Sequence, residues 1–486
     1  MLNARLQTGF TNPMDGAILA AGGADVGDAQ RIDELPYDFS RKRLSVLVRE
    51  GGSERLVTKG AFDSVISICG QAALPDGTVV PFAQVQPQVV ALHKDLGAKG
   101  YRVLAVATRD MGSAAGLTPS DESDLTYCGL LTFLDPPKPG ADTAVRGLTA
   151  AGISVRMITG DDRLVAAEVG RQVGLDGSAL ITGQELEALD DATLAQRAAI
   201  TAIFAEVDPI AKERILRGLR TSGRVVGYLG DGINDAPALH AADVGISVDS
   251  AVDVAKEAAA IVLLDKDLGV LLHGVQQGRR TFANTMKYVS TTTSANFGNM
   301  LSMAIAAVVL PFLPLLPAQI LLINFLTDIP SLTIATDDVD PEQLERPHSW
   351  DIGFVRNFMI LFGGVSTVFD LLTFAVLRIG FVADATLFRS GWFLESVATE
   401  LAVLFVLRTR RPFFRSRPSR LLAASSLILA AVTLAIPYSP LAGPLQLEGP
   451  PLPLLAALVV ITGIYVLATE STKQVFYRRG SAAARA

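Results

Sequence analysis

The sequence predicts an α/β domain built on a parallel sheet, preceded by a partial α+β segment and followed by an all-α membrane domain of six helices. Three observations carry this. The chain has 486 residues, half of them apolar, and a mean hydropathy of +0.37. That length exceeds one ordinary domain, and the hydrophobicity is uneven: mixed and charged up to about Gly278, then long apolar blocks. Residues 126–265 alternate short apolar strands with helical stretches, the pattern of a parallel sheet with helices on both faces. The polar turns Thr159-Gly160-Asp161 and Gly230-Asp231-Gly232 follow strands directly, where such sheets gather their chemistry. The expected boundaries are 1–125, 126–280 and 281–486.

In the first segment, Leu44 to Val48 and Arg55 to Thr58 read as strands split by Gly51-Gly52, with a further strand at Arg102 to Ala107. In the second, Gly129 to Leu134, Ser154 to Ile158, Ala202 to Ala205, Val225 to Leu229 and Val244 to Ser247 are the expected strands. Arg163 to Val173 and Ala211 to Leu219 carry apolar residues at helical spacing between them. Six stretches approach the roughly 20 apolar residues that a spanning helix needs: about 288–310, 318–336, 357–377, 392–408, 420–437 and 453–470. The fourth is short and carries Glu395 and Glu400, so its assignment is the weakest.

Between the fourth and fifth spans, Arg408 to Arg420 holds six arginines, which marks a cytoplasmic loop. Lys473, Arg478 and Arg479 place the C-terminus on the same side. The expected setting is the cell inner or plasma membrane, multi-pass, with the soluble domains cytoplasmic and the lipid bilayer as a partner. The N-terminal residues show no apolar core of signal-peptide length, so targeting falls to the later spans. The net charge of −7 and the lack of a dominant basic block in the soluble half argue against nucleic acid as a partner. Cys69 and Cys128, far apart, suggest neither a disulfide framework nor a zinc ribbon.

The run Gly230-Asp231-Gly232-Ile233-Asn234-Asp235-Ala236-Pro237-Ala238-Leu239 holds two carboxylates and an amide in a glycine-flanked turn. Such a turn suits a hydrated Mg²⁺ ion beside a phosphoryl group, because Mg²⁺ takes one or two carboxylates and keeps several waters. Asp231 and Asp235 are the metal candidates, and Asn234 an orienting or phosphate-contacting amide. This run resembles the hinge motif of the P-type ion-pumping ATPases, whose phosphorylation domain is haloacid-dehalogenase-like.

Further strings match that pattern, and the resemblance implies their roles. Phe39-Ser40-Arg41, Lys59-Gly60-Ala61 and Gly100-Tyr101-Arg102 resemble nucleotide-contacting segments, which makes Phe39, Arg41, Lys59 and Arg102 candidates for ATP binding. A phenyl face supplies stacking, and the cations offset phosphate charge. Met157-Ile158-Thr159-Gly160-Asp161 resembles the loop that contacts the phosphoryl group. Asp208-Pro209 followed by Lys212 resembles the segment whose lysine neutralises it. Thr159, Gly160, Asp161, Lys212 and Asn234 are therefore the catalytic candidates, with ATP and Mg²⁺ as cofactors. The family's Asp-Lys-Thr-Gly-Thr and Thr-Gly-Glu-Ser strings do not occur in the sequence. Asp135 precedes a rigid Pro-Pro and is not nominated as the nucleophile. The chain thus reads as the C-terminal portion of a pump, expected not to form the usual phosphoenzyme alone and to need, as one option, a separately encoded N-terminal half.

In the first two spans, Asn296 and Asn299 lie three apart on one helix face, and Asn324, Thr327 and Asp328 follow before Pro330. Pro330 should distort its helix and free backbone groups. An aspartate in mid-membrane costs about 2.5–3.5 kcal/mol on insertion scales and is a functional candidate by default; a polar clamp between helices is the competing role. These two spans hold no Cys or His, which disfavours soft metals. Amides with one carboxylate suit a hard cation, Mg²⁺ before Ca²⁺. The stretch from Asn296 to Pro341 is similar to the bacterial magnesium-transporting subclass. The resemblance implies ATP-driven Mg²⁺ movement across the membrane. A calcium or other cation pump fragment, a phosphatase fused to a membrane anchor, and a non-catalytic nucleotide-binding membrane protein remain open alternatives. Asp370, Glu395 and Glu400 are further intramembrane charges; Glu400 either approaches the ion site or pairs with Arg408.

Overall fold

The computed structural model describes residues 1–8, 13–22, 27–38, 40–112, 116–265 and 267–483. The chain divides into two compact units, Met1–Leu272 and His273–Ala486.

The first unit contains a seven-stranded sheet and two short parallel ladders. The strands of the large sheet are β1 (Gln30–Asp38), β2 (Arg43–Glu50), β3 (Ser53–Ala61), β4 (Cys69–Ala73), β5 (Val79–Pro81), β6 (Tyr101–Gly112) and β7 (Leu125–Leu134), in the order β1-β2-β3-β6-β7-β4-β5. All neighbours are antiparallel except β4 and β7. The expected strand Gly129 to Leu134 therefore lies antiparallel against β6, with Leu134 opposite Tyr101, and not in a parallel sheet. Its alternating sequence served an antiparallel neighbour equally well. Leu56, Phe62, Val65, Ala105, Leu125 and Tyr127 form the core of this layer.

The parallel ladders hold the remaining strands: β8 (Met157–Ile158), β9 (Leu180–Thr182), β10 (Ile203–Ala205), β11 (Gly227–Leu229), β12 (Val244–Val248) and β13 (Ile261–Leu263). One ladder runs β8-β10-β9 and the other β11-β12-β13. Phe204 pairs with Ile158, and Leu229 with Ile246. Ile158 and Val226 pack into both adjoining cores, so the two ladders share one interior. Strands β9 and β13 have no counterpart among the expected strands. Helix α1 (Arg163–Val173) begins at Asp162, whose carboxylate caps Leu164 N–H at 2.8 Å. Helix α2 (Pro209–Thr221) begins at Asp208, which caps Ala211 N–H at 2.6 Å, with Pro209 in the first turn. Both starts follow ordinary capping chemistry.

The second unit is helical: α3 (Gly269–Val309), α4 (Pro317–Thr333), α5 (Ile352–Ala375), α6 (Ala385–Leu407), α7 (Arg420–Ala435) and α8 (Leu452–Ala483). Among the described residues five segments are long and apolar enough to cross a membrane: Pro317–Thr336, Ile352–Gly380, Ala385–Leu407, Arg420–Tyr438 and Leu452–Arg478. The sixth expected span, 288–310, is not among them. It is the C-terminal half of α3, and Thr291, Thr292, Thr293, Ser294, Asn296, Asn299 and Ser302 lower its apolarity. At 1.5 Å per residue, 41 residues give a helix of about 60 Å, twice a hydrocarbon core.

Helix α6, the weakest span by sequence, is the centre of this unit: 78% of its most apolar window is buried. Trp392, Phe393 and Val397 anchor the main apolar cluster. It tolerates acidic residues because other helices shield it. Helices α3 and α5 approach through glycines. A Cβ at Gly363 would lie 2.9 Å from the Ser294 carbonyl, and one at Gly298 would lie 2.9 Å from Ser366 Cβ. Such small-residue contacts are how membrane helices pack closely. Pro330 is accommodated inside α4, which continues to Thr333; the Ser331 hydroxyl donates to Thr327 O at 2.8 Å.

Candidate functional site

Two polar groups of the first unit lie at carboxyl ends of parallel strands. After β11, the loop 230–232 is fixed by Gly230 N–H to Ile246 O at 3.1 Å and by the Ser247 hydroxyl to Gly230 O at 2.9 Å. The following 3-10 turn Ile233–Asp235 directs Asp235 inward. Its Oδ1 accepts from Lys212 Nζ at 2.8 Å and from Tyr228 OH at 2.7 Å, and its Oδ2 from Gly232 N–H at 3.1 Å. Burial opposes ionisation of Asp235, but the bonds from Lys212 and Tyr228 hold its carboxyl below the usual carboxylate range. Burial and the same carboxylate push the Tyr228 phenol well above its ordinary value. Asp231 and Asn234 are exposed at the loop surface.

Lys212 and Asp235 are thus brought together, as a phosphoryl site needs, with Asp231 four residues away and open to solvent. Gly230 is required by close approach: a Cβ there would sit 2.6 Å from Asp235 Cβ and 2.9 Å from Tyr228 Cε1. Tyr228 was not anticipated from the sequence, because an apolar strand position gives no hint of a hydroxyl partner.

After β8, Thr159 Oγ1 donates to Asp161 Oδ2 at 2.9 Å, and Gly160 is exposed. Arg102 Nη2 donates to the same Asp161 oxygen at 2.9 Å, while its Nη1 lies 3.1 Å from Asp135 Oδ2. Of the described nucleotide candidates, Arg102 alone meets this loop. Arg41 is engaged elsewhere: its Nη1 donates to both oxygens of Glu122 at 2.7 Å. Burial works against the Glu122 carboxylate, yet Arg41, Ser45 and Arg43 hold its carboxyl below the usual range. Lys59 is buried and paired with Asp15; burial pushes the pKa of its ammonium down despite that partner. Phe39 lies outside the described residues.

Among the described residues no group of three His, Cys, Asp or Glu could cage a metal. Asp231, exposed on its loop, fits Mg²⁺ as a hard oxygen donor that leaves room for waters, whereas Asp235 is buried with both oxygens engaged by Lys212, Tyr228 and Gly232. When bound there, Mg²⁺ would supply charge neutralisation for phosphate oxygens.

In the second unit, Asn299 and Glu400 line a cavity of ≈10 Å³, about the room of one water. Thr291, Ser294, Ser366, Ser396, Thr399 and Tyr465 complete its polar wall. Glu400 neighbours Thr327, Asn299 and Asp328, and its Oε2 is buried without a hydrogen-bond partner, as is Thr291 Oγ1. Thr327 is buried, its hydroxyl donating to Ile323 O at 3.1 Å. Asn296, Asn324 and Asp328 lie on exposed faces of their helices. The four-residue spacing puts Asn324 and Asp328 on one face, and that face is not the one packed against the rest of the unit. Glu400 approaches the candidate ion site; Arg408 pairs with Asp337 at 2.8 Å instead.

The chain belongs to the P-type ATPase superfamily. A family model for the C-terminus of cation-transporting ATPases matches residues 312–475, and one for haloacid dehalogenase-like hydrolases matches residues 76–243. The chain is 44% identical to the magnesium-transporting ATPase, P-type 1, of Escherichia coli strain K12, over 98% of its own length and 55% of that protein's. It is 43% identical to the protein of the same name from Salmonella typhimurium strain LT2, over 98% and 54%. Likeness to the calcium-transporting ATPase 1 of Lactococcus lactis is 31%, over 84% and 47%. The chain spans about half the length of these relatives.

Proposed function

We propose that the chain is the ion-pathway and hinge-bearing portion of an ATP-driven magnesium transporter in a multi-pass membrane setting, its soluble unit and C-terminus cytoplasmic. The observation that carries this reading is the 44% identity with a magnesium-transporting ATPase along nearly the whole chain. The Lys212–Asp235 pair and the Asn299–Glu400 cavity support it from the two units separately.

In this reading Lys212 offsets the charge of the transferring phosphoryl group, and Thr159 and Asp161 position it. Asp231 holds Mg²⁺, with Asp235 behind it fixing Lys212, and Arg102 contacts ATP. Asn299, Thr327 and Glu400 form the inner wall of the Mg²⁺ path, while Asn296, Asn324 and Asp328 meet protein contributed by the remaining half of the pump. The acceptor carboxylate comes from the same source. β8 and β11 are both edge strands and both precede a catalytic loop, so a parallel strand entering beside them would carry an acceptor to Lys212.

Complementation tests this. The chain, and a version completed with the remaining portion of a magnesium-transporting relative, are expressed in bacteria lacking Mg²⁺ uptake. Only the completed form is expected to restore growth at limiting Mg²⁺ and to give a hydroxylamine-sensitive phosphoprotein with labelled ATP. A labelled band from the chain alone would show an acceptor within these residues. Restoration under Ca²⁺ limitation instead would favour the calcium reading.

A further inference from the structure

A second acidic centre lies in the helical unit, apart from the Asn299–Glu400 cavity. Asp370 on α5 is 2% exposed. Its Oδ1 accepts from Trp392 Nε1 at 3.0 Å and its Oδ2 from Ser302 Oγ at 2.5 Å. Trp392 and Glu395 are three residues apart on α6, hence on one helix face. Glu395 is 1% exposed and lies beside Asp370 and Thr373.

No donor reaches either carboxylate oxygen of Glu395, and the fully buried Thr373 Oγ1 also lacks a partner among the described residues. The other ionisable groups facing the pair are acids: Glu400, five residues further along α6, and Tyr465 on α8. None of the described Lys, Arg or His side chains forms an ion pair with either carboxyl.

Two ionised carboxylates here would place two charges without a countercharge in a buried interior, which is far costlier than neutralising one of them. A cation is a poor solution. Trp392 and Ser302 already point hydrogens at Asp370, and a metal would find only Glu395 and one threonine hydroxyl. We propose that Asp370 and Glu395 form an intramembrane binding site for a single proton. The proton is taken from solvent onto Glu395, whose O–H donates to the Asp370 carboxylate; the other Glu395 oxygen accepts from Thr373 Oγ1. Asp370 keeps its bonds from Trp392 and Ser302. One proton thereby gives every unpartnered atom of the centre a partner and leaves one shared negative charge.

Infrared difference spectroscopy of the full chain in lipid nanodiscs tests this at neutral pH. The carbonyl-stretch region of protonated carboxylic acids is expected to lose one band in Glu395→Gln relative to wild type. In Asp370→Asn the band should persist but shift, since Glu395 loses its acceptor. If Glu395→Gln does not fold, Thr373→Val decides: a shifted band supports the proton on Glu395, and an unshifted one overturns it. No band lost in folded Glu395→Gln, or a wild-type band that added Na⁺, K⁺ or Mg²⁺ removes, would also overturn the proposal, the latter in favour of a cation site.

Discussion

Lys212 Nζ lies 2.8 Å from Asp235 Oδ1, with the two side chains 15% and 12% exposed. Lys212 stands in the first turn of α2, and Asp235 closes the turn after β11, so the pair ties two elements 23 residues apart. Replacing Lys212 with Met leaves Asp235 with Tyr228 and Gly232 as donors but no countercharge. A loss on the order of 2–4 kcal/mol is expected, below the upper range for fully enclosed pairs because both ends retain some water contact. Tyr228→Phe removes one hydrogen bond to a charged acceptor and should cost less, about 1.5–3 kcal/mol. Thermal unfolding of the detergent-solubilised chain should rank wild type above Tyr228→Phe above Lys212→Met.

The same carboxylate sets a pH dependence. Its folded-state pKa lies below the unfolded value of about 3.9. The stability it contributes is therefore fully present above that value and is lost as pH falls through the lower folded one. Acid unfolding followed by circular dichroism should begin at higher pH in Lys212→Met than in wild type. An unchanged acid midpoint would mean that the pair does not hold Asp235 ionised.

Much of this centre was legible in the sequence, for a physical reason. Asp162, Asp208 and Pro209 are local signals that start helices, and the glycines at 230 and 232 mark a turn that a strand must precede. Those signals mark the turns and helix starts that carry Thr159, Asp161, Lys212 and Asp235; the roles expected of these residues come from the resemblance to the P-type motifs. Contacts between distant segments left no such trace. Arg41 and Lys59 are ATP-binding candidates by resemblance, and the structure pairs them with Glu122, 81 residues from Arg41, and Asp15, 44 residues from Lys59. In the helical unit, Glu395 and Glu400 argued against a span, whereas α6 can carry them because neighbouring helices and not lipid surround it. Hydropathy measures composition, and shielding by neighbours is outside its reach.

Gly230 should not tolerate a side chain. An alanine Cβ would meet Asp235 Cγ at 2.8 Å as well as its Cβ and Tyr228 Cε1. Overpacking of this kind costs about 1–3 kcal/mol, and here the yielding group is the carboxylate itself. Gly230→Ala should lower the melting temperature and also abolish the further loss on adding Lys212→Met. Full additivity of the two substitutions would show that Asp235 stays in place.

Asp337 is expected to be among the least replaceable residues of the helical unit. It is 1% exposed and holds Lys287 Nζ at 2.8 Å and Arg408 Nη1 at 2.8 Å, and it accepts from Ser419 N–H at 3.0 Å. One carboxylate thereby joins α3, the segment after α4, the end of α6 and the start of α7. Asp337→Asn would leave two buried cations sharing an uncharged partner, a cost of roughly 3–5 kcal/mol by analogy with broken buried pairs. Detergent-solubilised Asp337→Asn should melt well below Asp338→Asn. Equal melting of the two would remove the latch role.

Glu400 should matter more to Mg²⁺ movement than its sequence context suggested. It is the carboxylate that shares the small cavity with Asn299 and neighbours Thr327 and Asp328. Its Oε2 is buried without a hydrogen-bond partner, and a buried oxygen donor of this kind gains most from a hard cation. Glu400→Gln preserves shape but removes the charge, so it should raise the Mg²⁺ concentration needed for half-maximal ATPase of a completed pump by tenfold or more, about 1.4 kcal/mol. The neighbouring Val403→Ala changes packing alone and should leave that concentration nearly unchanged while lowering the melting temperature. Should Glu400→Gln hydrolyse ATP with wild-type Mg²⁺ dependence, the carboxylate is a structural acid and the ion path runs instead along the outer Asn324–Asp328 face of α4.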